Sequence, residues 1–326
     1  QAYFDWLPGY TWAAPSGPPM GLSATMIIDS QVNLVWTALT NAISYNVKRS
    51  AVSGGPYTAV AADITGTAFS DTSILPGQTY YYVVSANTPS GESANSNEVM
   101  PSVVHTYLKF DETGGTTAYD ATGYGWHGTL VNGPLRTSGK FGNAVSLDGV
   151  NDYISLPTGI VSGLTDFTIA TWVYLNTIDN WSRVFDFGTG TGVNMFLTPR
   201  NGVTGTVRFA ITTGGAGGEQ QINGIAALPT GVWTHVAVTI SGGAGILYIN
   251  GAEVGRNNSM SLTPDSLGDT TQNYIGRSQY AADPYLNGCV DEFRIYANAL
   301  DAAAISLLYA EEIPIDVPLS PTGLHV

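Results

Sequence analysis

One stretch of the sequence decides the fold: Trp233-Thr-His-Val-Ala-Val-Thr-Ile-Ser-Gly-Gly-Ala-Gly-Ile-Leu-Tyr-Ile-Asn250-Gly251-Ala-Glu-Val254. It holds two apolar runs, 233–240 and 246–249, and a third run starts at Ala252. Asn250 and Gly251 join the second run to the third, and both residue types accept the positive φ angles of a type I′ turn. The stretch therefore predicts neighbouring antiparallel strands and a tight hairpin, not helices.

Strand-like runs continue on both sides of this stretch, throughout residues 105–310. The other runs are Thr106–Phe110, Ala144–Leu147, Phe167–Leu175, Val184–Phe187, Val207–Thr212, Tyr274–Ile275 and Val290–Tyr296. One helical stretch, Ala299–Tyr309, can turn Leu300, Ile305 and Leu308 inward. This pattern predicts two packed sheets of about six strands each, a jelly roll whose first strand pairs with its last.

Residues 15–102 carry a second, smaller all-β pattern. Val32–Trp36 and Ser44–Ser50 alternate sides with the period of two expected of half-buried strands. Turn signals recur about every 8–12 residues, which is typical of a seven-strand sandwich.

The smaller segment resembles a fibronectin type III domain over nearly its whole length. The matching residues are Gly21-Leu22, Trp36, Tyr45 and Leu75-Pro-Gly-Gln-Thr-Tyr80. The resemblance implies that the Tyr80 hydroxyl bonds to backbone upstream, the tyrosine corner of such sandwiches.

The larger segment resembles the laminin G-like, concanavalin A-like jelly-roll family. The phrases that carry the resemblance are Leu108–Glu112, Asp120–Leu130, Gly139–Ala144, Leu147–Tyr153, Phe167–Val173, Trp233–Ala237, Tyr248–Gly251 and Gly288–Tyr296. Such modules commonly accompany secreted glycoside hydrolases and polysaccharide lyases, where many bind sugars. The resemblance implies an all-β chain with a fibronectin type III-like β-sandwich followed by a concanavalin A/laminin G-like jelly-roll sandwich.

Length, charge and hydropathy limit the number of domains and the classes of partner. The chain has 326 residues, enough for about two domains. Its 25 acidic residues against 11 basic ones give a net charge of −14. This balance argues against nucleic acid and anionic membrane surfaces as partners. No apolar run approaches the ~20 residues of a membrane span, so we expect no membrane insertion.

Pro-rich phrases mark the expected boundaries. We expect residues 1–14 to form an aromatic arm or the end of an upstream module, and residues 15–102 the fibronectin type III-like domain. We expect the jelly roll at 103–310 and a linker or the start of a further module at 311–326. The chain is then a piece of a longer modular protein, or a subunit whose tail reaches a neighbour.

Four aspartates lie at predicted strand edges within these phrases: Asp111, Asp148, Asp152 and Asp291. Pairing of the first and last strands brings Asp111 towards Asp291, and a calcium ion relieves the repulsion between carboxylates. The resemblance implies a structural calcium near these phrases, with Asp152 the least secure ligand. The alternative is that these aspartates cap turns by accepting backbone N–H groups.

Two polar loops contain aromatic and guanidinium groups, the residue types that stack on and hydrogen-bond to sugars. One is Asp179–Arg183, with Trp181 and Arg183, and the other spans Arg277–Tyr285, with Tyr280. If the loops meet, Trp181, Arg183, Arg277, Tyr280 and Tyr285 line a shallow groove that binds a polysaccharide or glycan. The alternative is that these aromatic rings pack on each other or on the first domain.

The sequence contains no pattern typical of a catalytic site. No Glu-x-Asp-x-x-Glu run supplies the paired carboxylates of a glycosidase, and Asp291 and Glu292 are adjacent, so a strand turns them to opposite faces. We therefore expect a secreted, non-catalytic carbohydrate-binding or spacer region of a modular polysaccharide-degrading enzyme. The alternative is a structural cell-surface protein, an adhesin segment or filament subunit, that assembles with neighbouring subunits through its terminal segments.

Overall fold

The computed structural model describes residues 17–27, 31–75, 78 and 80–310. The predicted aromatic arm at 1–14 and the linker at 311–326 lie outside the described residues, as do Pro76, Gly77 and Thr79. Contacts within the chain define two compact units, and the boundary between them falls after Pro101. Within the described part of the chain, no helix is long and apolar enough to span a membrane.

The described residues of the first unit form a sandwich of seven strands. The strands are β1 (Met20–Ile27), β2 (Gln31–Thr37), β3 (Ser44–Ser50), β4 (Thr58–Ile64), β5 (Ala68–Asp71), β6 (Tyr81–Thr88) and β7 (Gly91–Glu92). They form an antiparallel sheet β1–β2–β5 and a second sheet β4–β3–β6–β7. Trp36 and Tyr45 meet edge to face at 5.4 Å in the core between the sheets. The fibronectin type III-like sandwich predicted from the sequence is confirmed in this arrangement.

The predicted tyrosine corner is also present. The Leu75 N–H donates to Tyr80 Oη at 3.3 Å, and the Arg49 guanidinium lies 4.3 Å above the centre of the Tyr80 ring. These contacts link Tyr80 to Leu75 and to Arg49 of β3.

The second unit has two antiparallel sheets. The first sheet, sheet I, comprises β8 (Ser102–Leu108), β11 (Leu135–Ser138), β12 (Asn143–Asp148), β14 (Phe167–Leu175), β19 (Trp233–Ser241), β20 (Ala244–Ile249), β21 (Ala252–Asn257) and β23 (Asn287–Tyr296). The second, sheet II, comprises β9 (Thr117–Ala118), β10 (Gly128–Val131), β13 (Tyr153–Leu156), β15 (Phe185–Gly190), β16 (Val193–Thr198), β17 (Arg208–Thr212), β18 (Gln220–Asn223) and β22 (Gln272–Ile275).

Strand order follows the jelly-roll pattern that the sequence predicts. Sheet I runs β21–β20–β19–β14–β23, and the opposite edge of β23 pairs first with β12 and then with β8. The first strand of the unit therefore closes on its last long strand, as expected. Sheet II runs β18–β17–β16–β15–β22–β13–β10–β9.

The predicted number of six strands per sheet is too low, because the second unit contributes eight strands to each sheet. The additional strands include pieces as short as Thr117–Ala118, which have no room for a period-two pattern. By contrast, the predicted tight turn is confirmed, since φ is 50° at Asn250 and 79° at Gly251.

The two sheets enclose the core of the unit, which is rich in phenylalanine. Its rings include Phe167, Phe185, Phe187, Phe209 and Phe293. Alternate residues of the same strands point away from this core, and on sheet II that outer face carries the site described below.

The one α-helix of the described residues, α1 (Ala302–Ala310), packs on the outer face of sheet I through Ile305 and Leu308; two short 3-10 helices lie at Ala216–Gly218 and Pro264–Leu267. The α-helix begins three residues later than the predicted Ala299, because Asp301 caps it: the Ala304 N–H donates to Asp301 Oδ1 at 2.8 Å.

Candidate functional site: a cavity on the outer face of sheet II

A cavity of about 160 Å³ opens on the outer face of sheet II. Its lining residues are Trp181, Arg183, Phe196, Ala216, Glu219, Tyr280 and Asp283. Phe196 belongs to β16 and pairs across the sheet with Asp186 of β15. The alternation that turns Phe185 and Phe187 into the core turns Asp186 outward, so the sheet supplies the floor and the loops supply the walls.

Trp181 forms one wall from a strained position. Its φ of 69° lies in the left-handed region, which a bulky residue rarely occupies and which costs about 1–3 kcal/mol. The backbone N–H of Trp181 donates to the backbone carbonyl of Arg200 at 2.9 Å. The ring lies so close to Gly202 that a Cβ on that glycine would stand 2.5 Å from Trp181 Nε1. The surrounding contacts therefore fix where the indole faces.

Arg183 lies beneath this wall and is only 2% exposed. Its Nε lies 3.3 Å from Asp186 Oδ2 and its Nη2 lies 3.0 Å from Asp283 Oδ2, while Nη1 donates to the Trp181 carbonyl. The guanidinium also stacks on Phe196, with its central carbon 4.0 Å from the ring centre. These partners engage all three nitrogens of the guanidinium, so Arg183 holds the loop and the sheet together.

Asp186 is the buried partner of this arginine. Burial raises its pKa to about 7, against the opposing effect of the Arg183 charge. Gln279 donates its backbone N–H to Asp186 Oδ2 at 3.1 Å, which anchors the loop from 277 to 285 over the sheet.

The opposite wall comes from that loop and from the segment before β18. Tyr280 donates its hydroxyl to the Thr191 carbonyl at 3.2 Å, and Asp283 accepts the Ser278 hydroxyl at 2.7 Å. Glu219 faces Arg208 at 3.6 Å, and burial raises its pKa above the ordinary value. Two aromatic side chains and two carboxylates therefore border the same opening.

This combination suits a small polyhydroxylated ligand. Aromatic faces cover the apolar side of a sugar ring, and carboxylate oxygens accept hydrogen bonds from its hydroxyls. The volume is below the roughly 300–1,000 Å³ of pockets for drug-sized ligands, so the cavity has room for one sugar residue and not for a chain.

Of the five residues predicted to form one groove, the structure brings three together. Trp181, Arg183 and Tyr280 line the cavity, but Arg277 and Tyr285 do not. Arg277 lies instead between the rings of Tyr153 and Tyr274, and Tyr285 packs near Tyr153. The loop from 277 to 285 thus sends its side chains to two places, and sugar binding by these five residues stays a prediction.

Sequence reasoning missed Phe196, Glu219 and Asp283. Asp283 lies in the polar loop Arg277–Tyr285, so its position in the sequence could have indicated that it borders the site. Glu219 gave no local signal, because its place beside the cavity depends on the pairing of β17 with β18.

The four aspartates predicted to bind calcium lie at two places. Asp111 Oδ1 accepts the Asn143 N–H at 2.9 Å, and Asp291 Oδ2 accepts the Phe141 N–H at 3.0 Å, so both hold the turn between β11 and β12. Asp148 Oδ1 accepts the N–H groups of the next loop, including that of Asp152.

These contacts are the turn-capping role weighed as the alternative to calcium. Asp148 Oδ1 already accepts three backbone N–H groups. The buried Asp291 Oδ1, by contrast, has no hydrogen-bond partner within the described residues. A carboxylate oxygen of this kind can bind a calcium ion. In residues 17–27, 31–75, 78 and 80–310, no group of three or more His, Cys, Asp or Glu side chains is arranged to hold a metal ion. Calcium binding stays a prediction, and the candidate position for the ion is the turn beside Asp111 and Asp291.

Comparison with known proteins agrees with this architecture. Residues 148–306 match the model of the concanavalin A-like lectin/glucanases superfamily. An amylopullulanase of Thermoanaerobacter thermohydrosulfuricus is 35% identical over 103 residues, which are 31% of this chain and 6% of that enzyme. The chain thus spans only a small part of this much longer relative.

Two solved structures are also similar. Domain 4 of AbnA, a GH43 extracellular arabinanase from Geobacillus stearothermophilus solved in complex with arabinotriose, is 26% identical with a TM-score of 0.55. The similarity covers 64% of this chain and 98% of that domain. A Fn3-like protein from Clostridium thermocellum is 45% identical over 28% of this chain and 95% of its own, with a TM-score of 0.27.

The match at 148–306 lies inside the jelly roll and includes Trp181, Glu219 and Tyr280. Residues 148–306 of the second unit therefore form a domain of the concanavalin A-like lectin/glucanases type.

Proposed function

We propose that the cavity beside Trp181 binds one residue of a neutral polysaccharide. The chain then acts as a non-catalytic carbohydrate-binding region of a secreted polysaccharide-degrading enzyme. The observation that carries the proposal is the pairing of Trp181 and Tyr280 around a small opening that also presents Glu219 and Asp283.

The comparisons support a glycan as the ligand. The AbnA domain of similar fold was solved with arabinotriose, and that arabinanase is extracellular. The amylopullulanase relative is also a much larger protein that this chain matches over a small part. Both resemblances support an accessory role beside a separate catalytic domain.

Charge favours a neutral sugar over an acidic one. The lining contributes one positive and two negative side chains, and the positive one, Arg183, already faces Asp186 and Asp283. A uronic acid carboxylate would approach Glu219 and Asp283 without a free cation to receive it. We therefore expect arabinan or starch-type glucans, not polygalacturonate, as ligands.

Binding without cleavage is the second part of the proposal. A glycosidase needs one carboxyl group as acid and a second as base or nucleophile. Here Asp283 is engaged by Arg183 and Ser278, and Glu219 by Gln221 and the more distant Arg208. Both carboxylates therefore help to form the walls of the cavity, which suits binding of a sugar.

The alternative, a filament or adhesin subunit, depended on residues 1–14 and 311–326. Those residues lie outside the described part of the chain, and no observation within it favours this second function.

Isothermal titration of the chain with arabinotriose and with maltotriose tests the proposal, alongside gel retention on arabinan, pullulan and polygalacturonate. We expect retention on a neutral polymer, and loss of that retention in Trp181→Ala. Tyr119→Ala, at an exposed tyrosine away from the cavity, is the matched control and should bind normally.

Two results would contradict the proposal. If wild type and Trp181→Ala bind the polysaccharide equally well, the cavity is not the sugar-binding site. Release of new reducing ends that stops in Glu219→Gln would show catalysis.

A further inference from the structure

We propose that a second sugar-binding subsite lies on the same face of sheet II, at Tyr153, Tyr274, Arg277 and Tyr285, here called the tyrosine–arginine patch. This inference rests on the proposed function, because the patch is argued to hold a further residue of the glycan whose first residue occupies the cavity beside Trp181.

The patch is a compact arrangement of rings around one cation. The guanidinium carbon of Arg277 lies 4.8 Å from the centre of the Tyr153 ring and 4.6 Å from that of Tyr274. Tyr153 and Tyr274 meet edge to face at 5.3 Å, and Tyr285 lies 6.3 Å from Tyr153. All four side chains are half-buried, so each keeps part of its surface in solvent.

Strand register places the patch beside the cavity. Phe196, which lines the cavity, pairs with Asp186 of β15, and Asp186 pairs in turn with Tyr274 of β22. Two strand spacings of about 4.8 Å separate Phe196 from Tyr274, so the two places lie roughly 10 Å apart along the sheet. The loop from 277 to 285 contributes to both, through Tyr280 and Asp283 at the cavity and Arg277 and Tyr285 at the patch.

Arg277 differs from Arg183 in whether its guanidinium N–H groups are already bonded within the protein. Arg183 is buried and bonded through all three nitrogens. Arg277 forms no ion pair with any other residue of the described chain, and it contacts the faces of two tyrosine rings. No described residue accepts a hydrogen bond from its N–H groups, which leaves them available to a ligand.

This chemistry fits a sugar. Tyrosine rings offer a flat apolar surface with a polar hydroxyl at the edge, and the guanidinium donates to hydroxyl and ring oxygens. Because about 10 Å separates patch and cavity, a single sugar cannot reach both. Asp186, between the two places, is covered by the loop from 277 to 285, so the ligand is an oligosaccharide that crosses this loop, and affinity rises with its length.

Titration with arabinan oligosaccharides and malto-oligosaccharides, from the monosaccharide to the hexasaccharide, tests the inference. We expect wild-type affinity to rise with chain length. In Arg277→Ala and in Tyr285→Ala we expect the longest oligosaccharide to bind roughly tenfold more weakly, the equivalent of one lost polar contact, with monosaccharide binding unchanged. Arg256→Ala, at an exposed arginine on sheet I, is the control.

The outcomes separate the two proposals. If Trp181→Ala abolishes binding while both patch variants keep the full chain-length dependence, the subsite is refuted and the cavity stands. If no oligosaccharide binds to wild type, both fail. If Arg277→Ala has a lowered Tm, Arg277→Lys replaces it, because lysine keeps the positive charge but lacks the planar guanidinium. Arg277→Lys must then show the same loss of affinity for the longest oligosaccharide.

Discussion

Gly202→Ala is the sharpest perturbation of the cavity, because it moves Trp181 without removing it. The added Cβ would stand 2.5 Å from Trp181 Nε1 and 3.2 Å from Cε2. Ordinary contacts between such atoms are about 3.5–4.0 Å, so the indole has to retreat by roughly 1 Å.

The size of the effect follows from two contributions. Forcing one methyl group into a packed contact costs about 1–3 kcal/mol of folding free energy. A displaced stacking face loses about 0.5–1.5 kcal/mol of binding, up to roughly tenfold in Kd. The Trp181 backbone, held by the Arg200 carbonyl, limits how far the loop can adapt.

Calorimetry measures both quantities on the same protein. A thermal scan gives the change in Tm, and titration with arabinotriose and maltotriose gives Kd. Gly114→Ala is the matched control, since no atom lies within 4 Å of its added Cβ. A Gly202→Ala variant with lowered Tm but wild-type affinity would refute the placement of Trp181 against the sugar.

Three further predictions concern stability. Burial raises the pKa of Asp186 from 3.8 to about 7, so the free energy of unfolding falls as the pH rises through that range. Burial lowers the pKa of His235 from 6.5 to about 3, so the free energy of unfolding falls as the pH drops through that range. Between pH 4 and 6.5 the two trends oppose each other. Asp186→Asn removes the first of them, so in urea melts the free energy of unfolding of the variant should fall more steeply on acidification than that of the wild type; an unchanged pH profile would contradict this. Tyr80→Phe removes the hydroxyl that accepts the Leu75 N–H and should cost the first unit about 1 kcal/mol, seen as a lower Tm; a wild-type Tm would show that the corner bond is replaced by water. A calcium ion beside Asp111 and Asp291 would raise Tm relative to chelator-treated protein, and an identical midpoint in both conditions would remove the ion.

Long strands were predictable because their own residues carry the signal. Phe167–Leu175 and Ser44–Ser50 have the same bounds in the structure as in the sequence-based prediction. Both contain enough consecutive strand-forming residues to stand out from the flanking turns. Strands of two to four residues, such as Thr117–Ala118, exist only because a neighbouring strand pairs with them.

The candidate site was predictable only in part. An aromatic residue in a polar loop pointed to Trp181 and Tyr280, and the structure places both at one cavity. The same reasoning grouped Arg183 with Arg277, although one is a buried tie between loop and sheet and the other keeps its donors free. Both arginines lie in polar loops that also carry aromatic residues, and that shared feature was the basis for grouping them.

The sequence by itself determined the two β-sandwiches, the tight turn at Asn250-Gly251 and the excess of acidic charge, because these depend on local alternation, turn chemistry and composition. Tertiary structure alone decided which polar groups remain available to a ligand. Arg183 is bonded to Asp186, three residues along the chain, and to Asp283 of a distant loop, and Glu219 reaches the cavity only through strand pairing. The contributions of Asp283 and Glu219 depend on residues that are distant in the chain, and sequence spacing does not encode those distances.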